Sequence, residues 1–295
     1  MLTDKLTEHP TNQPTRLRNA ICPYCGVALN AGNTTKEHVV GRRFVPKGKL
    51  ENQWNLIVRA CGPCNNRKAD LENDISAITL HPEYSDMPPG HDAGTIADAQ
   101  RKAKNAISRR TKKPVKDSQE NIKFSMPFGG SATIGFNFTS PPQIDQDRAF
   151  ELARSQLAAF FFWLTYQKEE ERGRFWREGC YLLMMTRRAD WGNSIMVDFA
   201  DAVIEWEPRL ILHTADGFYR ACIRRHPTAD CWSWALEWNG TTRLTGFFGD
   251  KGVAQAIVDS LRKLEMDHHD LGNGDYVRSR IDVPLDPESD NLFKA

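Results

Sequence analysis

Hydrophobic positions at helical spacing predict three helices in this chain. Residues 145–167 show a broad apolar stripe with a period near 3.6 residues, which predicts a long amphipathic helix. Residues 253–264 show the same pattern over a shorter span. Residues 95–116 are rich in Ala, Lys and Arg and predict a strongly basic helix, with Gly94 or Thr95 as its cap.

Alternating hydrophobic and polar positions predict strands after the long helix. Residues 209–213 and 217–223 predict two strands that pair around a turn. Residues 232–238 and 241–247 flank Asn239-Gly240, a strong signal for a two-residue hairpin turn. The tryptophans at even positions of the third strand share one face, and we expect them to pack against the long helix. The mixture of predicted helices and strands indicates an α+β fold.

Breaks in these patterns divide the chain into segments, with a domain boundary near residue 142 after a pair of prolines. A small N-terminal domain is therefore expected to precede a separate α+β domain. The predicted segments are a flexible leader (1–15), a cysteine-containing domain (16–75), a linker with the basic helix (76–142), the separate α+β domain (143–264) and a loose acidic tail (265–295).

Composition favours a soluble globular protein. Hydrophobic residues make up 40% of the 295 residues, which is enough to build a sizeable core and argues against global disorder. No apolar run approaches the roughly 20 residues that a membrane-spanning helix needs. The N-terminus is polar and lacks the apolar core of a signal peptide. We therefore expect a cytoplasmic protein without a membrane partner.

Charge is distributed unevenly along the chain, although the formal net charge is only +1. Residues 16–70 hold ten Lys and Arg against three Asp and Glu, and residues 101–116 hold eight against none. Residues 265–295 have a net charge of −5. Basic runs without acidic neighbours are typical of phosphate contacts, so DNA is the expected partner. The expected contacts of the basic run are Arg101, Lys102, Lys104, Arg109, Arg110, Lys112 and Lys113.

Four of the seven cysteines form two CxxC pairs, Cys22 with Cys25 and Cys61 with Cys64. Such pairs in a reducing compartment are typical of metal sites rather than disulfides. Four thiolates leave no open coordination position, which predicts a structural Zn²⁺ ion. The two pairs are separated by 35 residues, so a further structural element is inserted between them.

The inserted segment and the second CxxC pair carry a distinctive set of polar residues. Glu37 directly precedes His38, Asn55 follows in the sequence QWNL, and Asn65 and Lys68 lie in CNxxK. This pattern resembles the HNH endonuclease family in an H-N-N variant, over roughly residues 18–75. The resemblance implies a zinc-stapled ββα-metal domain, in which two strands and a helix surround one divalent ion.

The resemblance also implies a role for each motif residue. His38 would be the general base that activates water, and Asn55 would hold the loop that carries it. Glu37 and Asn65 would bind a catalytic Mg²⁺ or Mn²⁺ ion, since both offer the hard oxygen ligands that these ions prefer. Lys68 would contact DNA, and Arg42 and Arg43 could clamp the phosphate beside the cut site.

The geometry of the Glu37-His38 pair stays open at this stage. Adjacent residues on a strand point to opposite faces. Both can therefore serve one site only if the backbone turns locally or if one of them acts through its main chain.

The expected function is that of a metal-dependent DNA endonuclease. By analogy with the HNH family, its biological role would be in bacterial or phage defence or restriction. A homodimer is also expected, because one such site cuts one strand. Two alternatives remain. The chain could be a zinc-containing DNA-binding protein without catalysis. It could also be a regulated effector whose C-terminal domain senses a ligand or a partner.

Overall fold

The computed structural model describes residues 12–85, 92–128, 132–175, 179–272 and 275–294. Helices and strands are mixed throughout these ranges, which confirms the α+β class. None of the described helices is both long and apolar enough to cross a lipid bilayer. The predicted leader falls mostly outside the described residues, but its last residue begins a short strand.

Six α-helices lie within the described ranges. They are α1 (Gly62–Thr79), α2 (Pro82–Ser85), α3 (Ala93–Asn105), α4 (Gln146–Leu164), α5 (Ser194–Val203) and α6 (Lys251–Ser260).

The strands form four sheets in the described part of the chain. The first strands are β1 (Thr15–Arg16), β2 (Thr34–His38), β3 (Leu56–Cys61), β4 (Glu120–Phe128), β5 (Ala132–Ser140) and β6 (Tyr181–Arg187). The later strands are β7 (Glu207–Thr214), β8 (Tyr219–Arg225), β9 (Cys231–Trp238), β10 (Thr242–Gly249), β11 (Asp267–Gly272) and β12 (Asp275–Ser279).

A five-stranded antiparallel sheet with the order β6-β10-β9-β8-β7 forms the larger layer. Both predicted hairpins are present in it, β7 with β8 and β9 with β10. Asn239 and Gly240 have φ angles of 53° and 66°, the positive values that a tight hairpin turn requires. A smaller sheet with the order β1-β3-β2 lies at the N-terminal end of the described chain.

Helix α4 packs its apolar face against the large sheet. Asp145 caps the helix, since its side chain accepts a hydrogen bond from the Arg148 amide. The Phe161 ring meets the Trp232 ring edge-on, with centroids 5.4 Å apart. Trp238 Nε1 donates to Gln156 Oε1 at 3.0 Å. The predicted packing of the tryptophan face on this helix is confirmed.

One hydrophobic core joins the two halves of the chain. Phe44 meets Trp238 edge-to-face at 5.5 Å, and Trp54 stacks on Phe160 at 6.5 Å. Residues on both sides of position 142 belong to the same buried cluster. The predicted boundary at that position is not supported by this packing, because the larger sheet and the N-terminal elements bury each other.

The basic helix is shorter than predicted. Helix α3 ends at Asn105, and a tight turn follows in which the Ser108 amide donates to the Lys113 carbonyl. Lys112 has a φ of 61°, and Pro114 restricts the residue before it, so the helix cannot continue to 116. Its cap is Asp92, which accepts from the Thr95 amide, rather than Gly94 or Thr95 itself.

The acidic tail is not loose where the structure describes it. Strands β11 and β12 form a hairpin, and Leu292 and Phe293 are buried in a second core cluster. Asp290 pairs with Arg243, which is 1% exposed and also bonds Glu237. The prediction from charge alone is wrong because acidic residues of the tail neutralise a buried arginine and nearby side chains fill apolar space.

Truncation of Leu292 should therefore destabilise the protein. Because its side chain is 5% exposed, Leu292→Ala should lower the free energy of unfolding by about 2–5 kcal/mol. Ile281→Ala is the matched control in the same segment, since Ile281 is 83% exposed and its loss should change stability by less than about 0.5 kcal/mol. Urea unfolding measures both, and equal values for the two variants would contradict a docked tail.

Candidate functional site

The four CxxC cysteines come together at one end of the small sheet. Cys61 ends β3 and Cys64 lies in the first turn of α1, while Cys22 and Cys25 lie in a loop that turns at Gly26, where φ is 78°. All four sulfur atoms lie within 4.8 Å of one another, and the Cys25 and Cys61 sulfurs are 3.7 Å apart. Tetrahedral Zn–S bonds of about 2.3 Å place sulfurs about 3.8 Å apart. The cysteines are positioned to bind a metal ion, with the ligand set of a structural zinc.

Removing one of these ligands should remove the metal. Cys22→Ser should lower the zinc content from about one per chain to near zero and lower the midpoint of thermal unfolding, because a structural zinc stabilises the fold that binds it. Elemental analysis and thermal denaturation measure the two effects. Cys180→Ser is the control, since Cys180 lies outside the cluster. Full zinc content in Cys22→Ser would exclude the four-cysteine site.

Strands β2 and β3 form an antiparallel pair, and α1 follows β3 directly. The first turn of α1 lies over β2, because Asn65 Nδ2 donates to Thr35 Oγ1 at 3.0 Å. Thr35 and Glu37 share one face of β2, since they are two residues apart on the strand. Asn65 and Glu37 therefore face the same space between the hairpin and the helix.

Glu37 and His38 are the last two residues of β2, and the main chain of His38 lies close to the Glu37 side chain. Glu37 is 6% exposed and points toward α1. The backbone carbonyl of His38 accepts a hydrogen bond from Lys68 Nζ at 3.1 Å, on the same side as Glu37. The structure thus brings the His38 main chain to the Lys68 ammonium. How the His38 ring and Glu37 would serve one site stays a prediction.

Asn55 fixes the loop that follows His38. Its Oδ1 accepts from the Val40 amide at 3.2 Å, and its Nδ2 donates to the Val40 carbonyl at 2.7 Å. Asn55 is 5% exposed, so both backbone groups of Val40 are satisfied in a buried place. A single side chain thus holds the chain two residues beyond His38.

Loss of this pair of hydrogen bonds should be measurable. Asn55→Ala should lower the free energy of unfolding by about 1–3 kcal/mol, because two buried backbone groups of Val40 lose their partner. Asn66→Ala is the control, since Asn66 is exposed on α1 and its loss should cost less than about 0.5 kcal/mol. Denaturant unfolding compares the two, and an unchanged Asn55→Ala would contradict the role of this side chain.

Lys68 is buried rather than available to DNA, which corrects its predicted role as a phosphate contact. Its ammonium is 2.7 Å from Glu37 Oε1 and 2.5 Å from Glu72 Oε1, and the side chain is 2% exposed. Burial alone would lower the pKa of Lys68, but the two carboxylates outweigh it and raise that pKa. Burial raises the pKa of Glu37, and the ammonium opposes only part of this increase.

The imidazole of His38 is half-buried in a positively charged environment. Burial lowers the pKa of His38 to about 4, and the nearby charges of Arg42 and Lys36 act in the same direction. The ring is therefore neutral at pH 7, the state in which a histidine can accept a proton.

Arg42 and Arg43 lie on the loop after His38 and line a groove between residues 41–51, α1 and α3. This basic groove consists of two cavities of about 530 and 390 Å³, which share Arg43, Arg101 and Lys102. Arg42 and Arg43 are exposed, and neither has an ion-pair partner within the described residues. The groove thus presents cations beside His38.

The other predicted DNA contacts are not equally available. Lys102 is partly buried, with 11% of its side chain exposed beside Asp98, and donates to the Val45 carbonyl at 2.8 Å. Burial lowers the pKa of Lys102 to about 8. Arg101 bonds Asp98 at 2.5 Å but stays 61% exposed. Two further arginines are engaged in ion pairs, and three lysines are exposed. These are Arg109 with Asp70, Arg110 with Glu120, and exposed Lys104, Lys112 and Lys113.

Some residues of the site were not found from the sequence. Glu72 holds the Lys68 ammonium, and the i,i+4 spacing of the two on α1 was the available signal. The Tyr24 hydroxyl, from the first CxxC turn, lies close enough to Glu37 to affect the pKa of its carboxyl group. Arg148 on α4 bonds Asp70 and Asp74 on α1, and no sequence spacing predicts that long-range contact.

Comparison with known proteins gives no match to this chain, whether family models, curated proteins or solved structures are searched. The site therefore has to be interpreted from its own geometry.

Proposed function

We propose that this chain is a metal-dependent endonuclease of the HNH type that hydrolyses phosphodiester bonds in DNA. The observation that carries the proposal is the strand-strand-helix unit in which Asn55 clamps Val40, two residues beyond His38. The same unit places Glu37 and Asn65 on facing elements. The loop that Asn55 holds leads directly into the basic groove.

His38 is the proposed general base. Its ring is neutral at pH 7 and can remove a proton from the attacking water. Arg42 and Arg43, exposed on the next turn of chain, can bind the phosphate and offset its charge. Hydrolysis then breaks one phosphorus–oxygen bond of the backbone, and the former water oxygen stays on the phosphate.

The donor atoms fit a hard divalent cation. Glu37 offers a buried carboxylate, and its Oε1 is paired with the Lys68 ammonium at 2.7 Å. Asn65 uses its Nδ2 to bond Thr35, and its amide oxygen is the remaining ligand group. Two protein oxygens are enough for Mg²⁺ or Mn²⁺, which retain several waters. Such an ion, when bound, stabilises negative charge on the phosphate and the leaving oxygen.

Exposed cations outside the groove extend the proposed DNA surface. Lys104, Lys112 and Lys113 are exposed on α3 and the turn that follows it. Because one such site cuts one strand, a homodimer is part of the proposal for double-strand cleavage. The five-stranded sheet and α4 build the base under the site, and a ligand or partner at that sheet would regulate it.

The proposal predicts divalent-dependent nicking of plasmid DNA that depends on His38. His38→Ala should lower the nicking rate by at least about a hundredfold, because general-base catalysis contributes about 10²–10⁴ in rate. His268→Ala is the control, since His268 is exposed on the β11–β12 hairpin. Agarose gels of supercoiled plasmid with Mg²⁺ or Mn²⁺ measure the rate, and zinc content verifies folding.

Two results would contradict the proposal. Absence of nicking by the wild-type protein with either ion, while it still binds DNA, would favour a non-catalytic DNA-binding protein. Equal nicking by His38→Ala and the wild type would show that another group removes the proton.

A further inference from the structure

The ammonium of Lys68 lies among three oxygen atoms, which belong to Glu72, His38 and Glu37. It donates hydrogen bonds to Glu72 Oε1 at 2.5 Å and to the His38 carbonyl at 3.1 Å. Its contact with Glu37 Oε1, at 2.7 Å, is an ion pair. The buried ammonium thus contacts Glu37 as well as Glu72 and His38, so a second cation at Glu37 Oε1 would have to displace it.

The position of Glu72 is itself constrained. Glu72 lies one helical turn after Lys68, and its carboxylate rests against Gly41 at the start of the loop that follows His38. A Cβ built at Gly41 would meet the Glu72 carboxylate, which would have to move from its present position to make room. The Glu72 carboxylate, which accepts a hydrogen bond from the Lys68 ammonium, therefore lies where α1 meets the loop after His38.

We propose that Lys68 and the divalent cation compete for Glu37, and that Glu72 is the positioning residue that holds the Lys68 ammonium so that Glu37 can bind the ion. This inference rests on the proposed function, since it concerns the same ion. Two cations beside one buried carboxylate repel each other, and the repulsion is strong where water is excluded. Glu72 reduces it by accepting a hydrogen bond from the Lys68 ammonium and offsetting its charge.

Two substitutions should then change metal affinity in opposite directions. Lys68→Met removes the competitor and should tighten Mn²⁺ binding by at least about tenfold. Glu72→Gln leaves the ammonium to pair with Glu37 alone and should weaken Mn²⁺ binding by at least about tenfold. General damage to the fold would weaken binding in both variants, so opposite signs separate positioning from damage.

The double variant Lys68→Met/Glu72→Gln tests whether Glu72 acts through Lys68. If it does, Glu72→Gln should have less than about a third of its effect on the logarithm of Mn²⁺ affinity once Lys68 is absent. An undiminished effect would mean that Glu72 acts directly on the ion and would overturn its positioning role. Glu37→Gln should abolish stoichiometric binding in every background.

Mn²⁺ binding is measured by electron paramagnetic resonance of free Mn²⁺ on full-length protein with its zinc retained. Unchanged or weaker binding in Lys68→Met would overturn the competition. If Lys68→Met loses its zinc, NMR of the lysine side-chain ammonium in the wild type replaces it. Mg²⁺ should then shift the Lys68 signal, and a fixed signal would overturn the proposal. These measurements do not depend on DNA nicking. A failure of the competition between Lys68 and the ion can therefore be distinguished from a failure of the proposed nuclease activity.

Discussion

A lysine ammonium cannot remain inside a protein without compensating charge, and the burial of Lys68 sets the arrangement of the surrounding elements. The three oxygens around it come from the β2 side chain of Glu37, the main chain of His38 and the next turn of α1 at Glu72. Helix α1 docks on the hairpin in a register that brings Lys68 to the Glu37 carboxylate and the His38 carbonyl. The same register places Asn65 above β2, where its side chain bonds Thr35.

Other interactions hold this unit rigidly at its edges. The four cysteines bring the loop after β1 together with the junction of β3 and α1, in position to bind a metal ion. Asn55 closes the loop beyond His38, and Arg148 joins α1 to α4 through Asp70 and Asp74. Helix α4 in turn packs on the five-stranded sheet. The polar site is thus supported by a core that runs through both halves of the chain.

Local sequence patterns predicted most helices and strands. Features that depend on charge pairs between distant residues could not be predicted in this way. The Asn239-Gly240 turn and the α4 stripe depend on neighbouring residues, so sequence reasoning located them. The cysteine pairs were found from their spacing, and Asn55 was found through the resemblance of its motif to the HNH family. The buried state of Lys68 and the docking of the tail depend on partners many residues away, and a basic residue or an acidic run carries no sign of them. The end of α3 was missed because helix formers outweighed the turn before Pro114.

The most direct test of this account is anomalous X-ray diffraction from crystals of the full chain soaked in Mn²⁺. The account predicts a zinc peak bonded to four cysteine sulfurs and a manganese peak bonded to oxygens of Glu37 and Asn65. It also predicts that the Lys68 ammonium then contacts Glu72 and no longer Glu37. A manganese peak away from Glu37, or a Lys68–Glu37 pair that persists beside the bound ion, would contradict it.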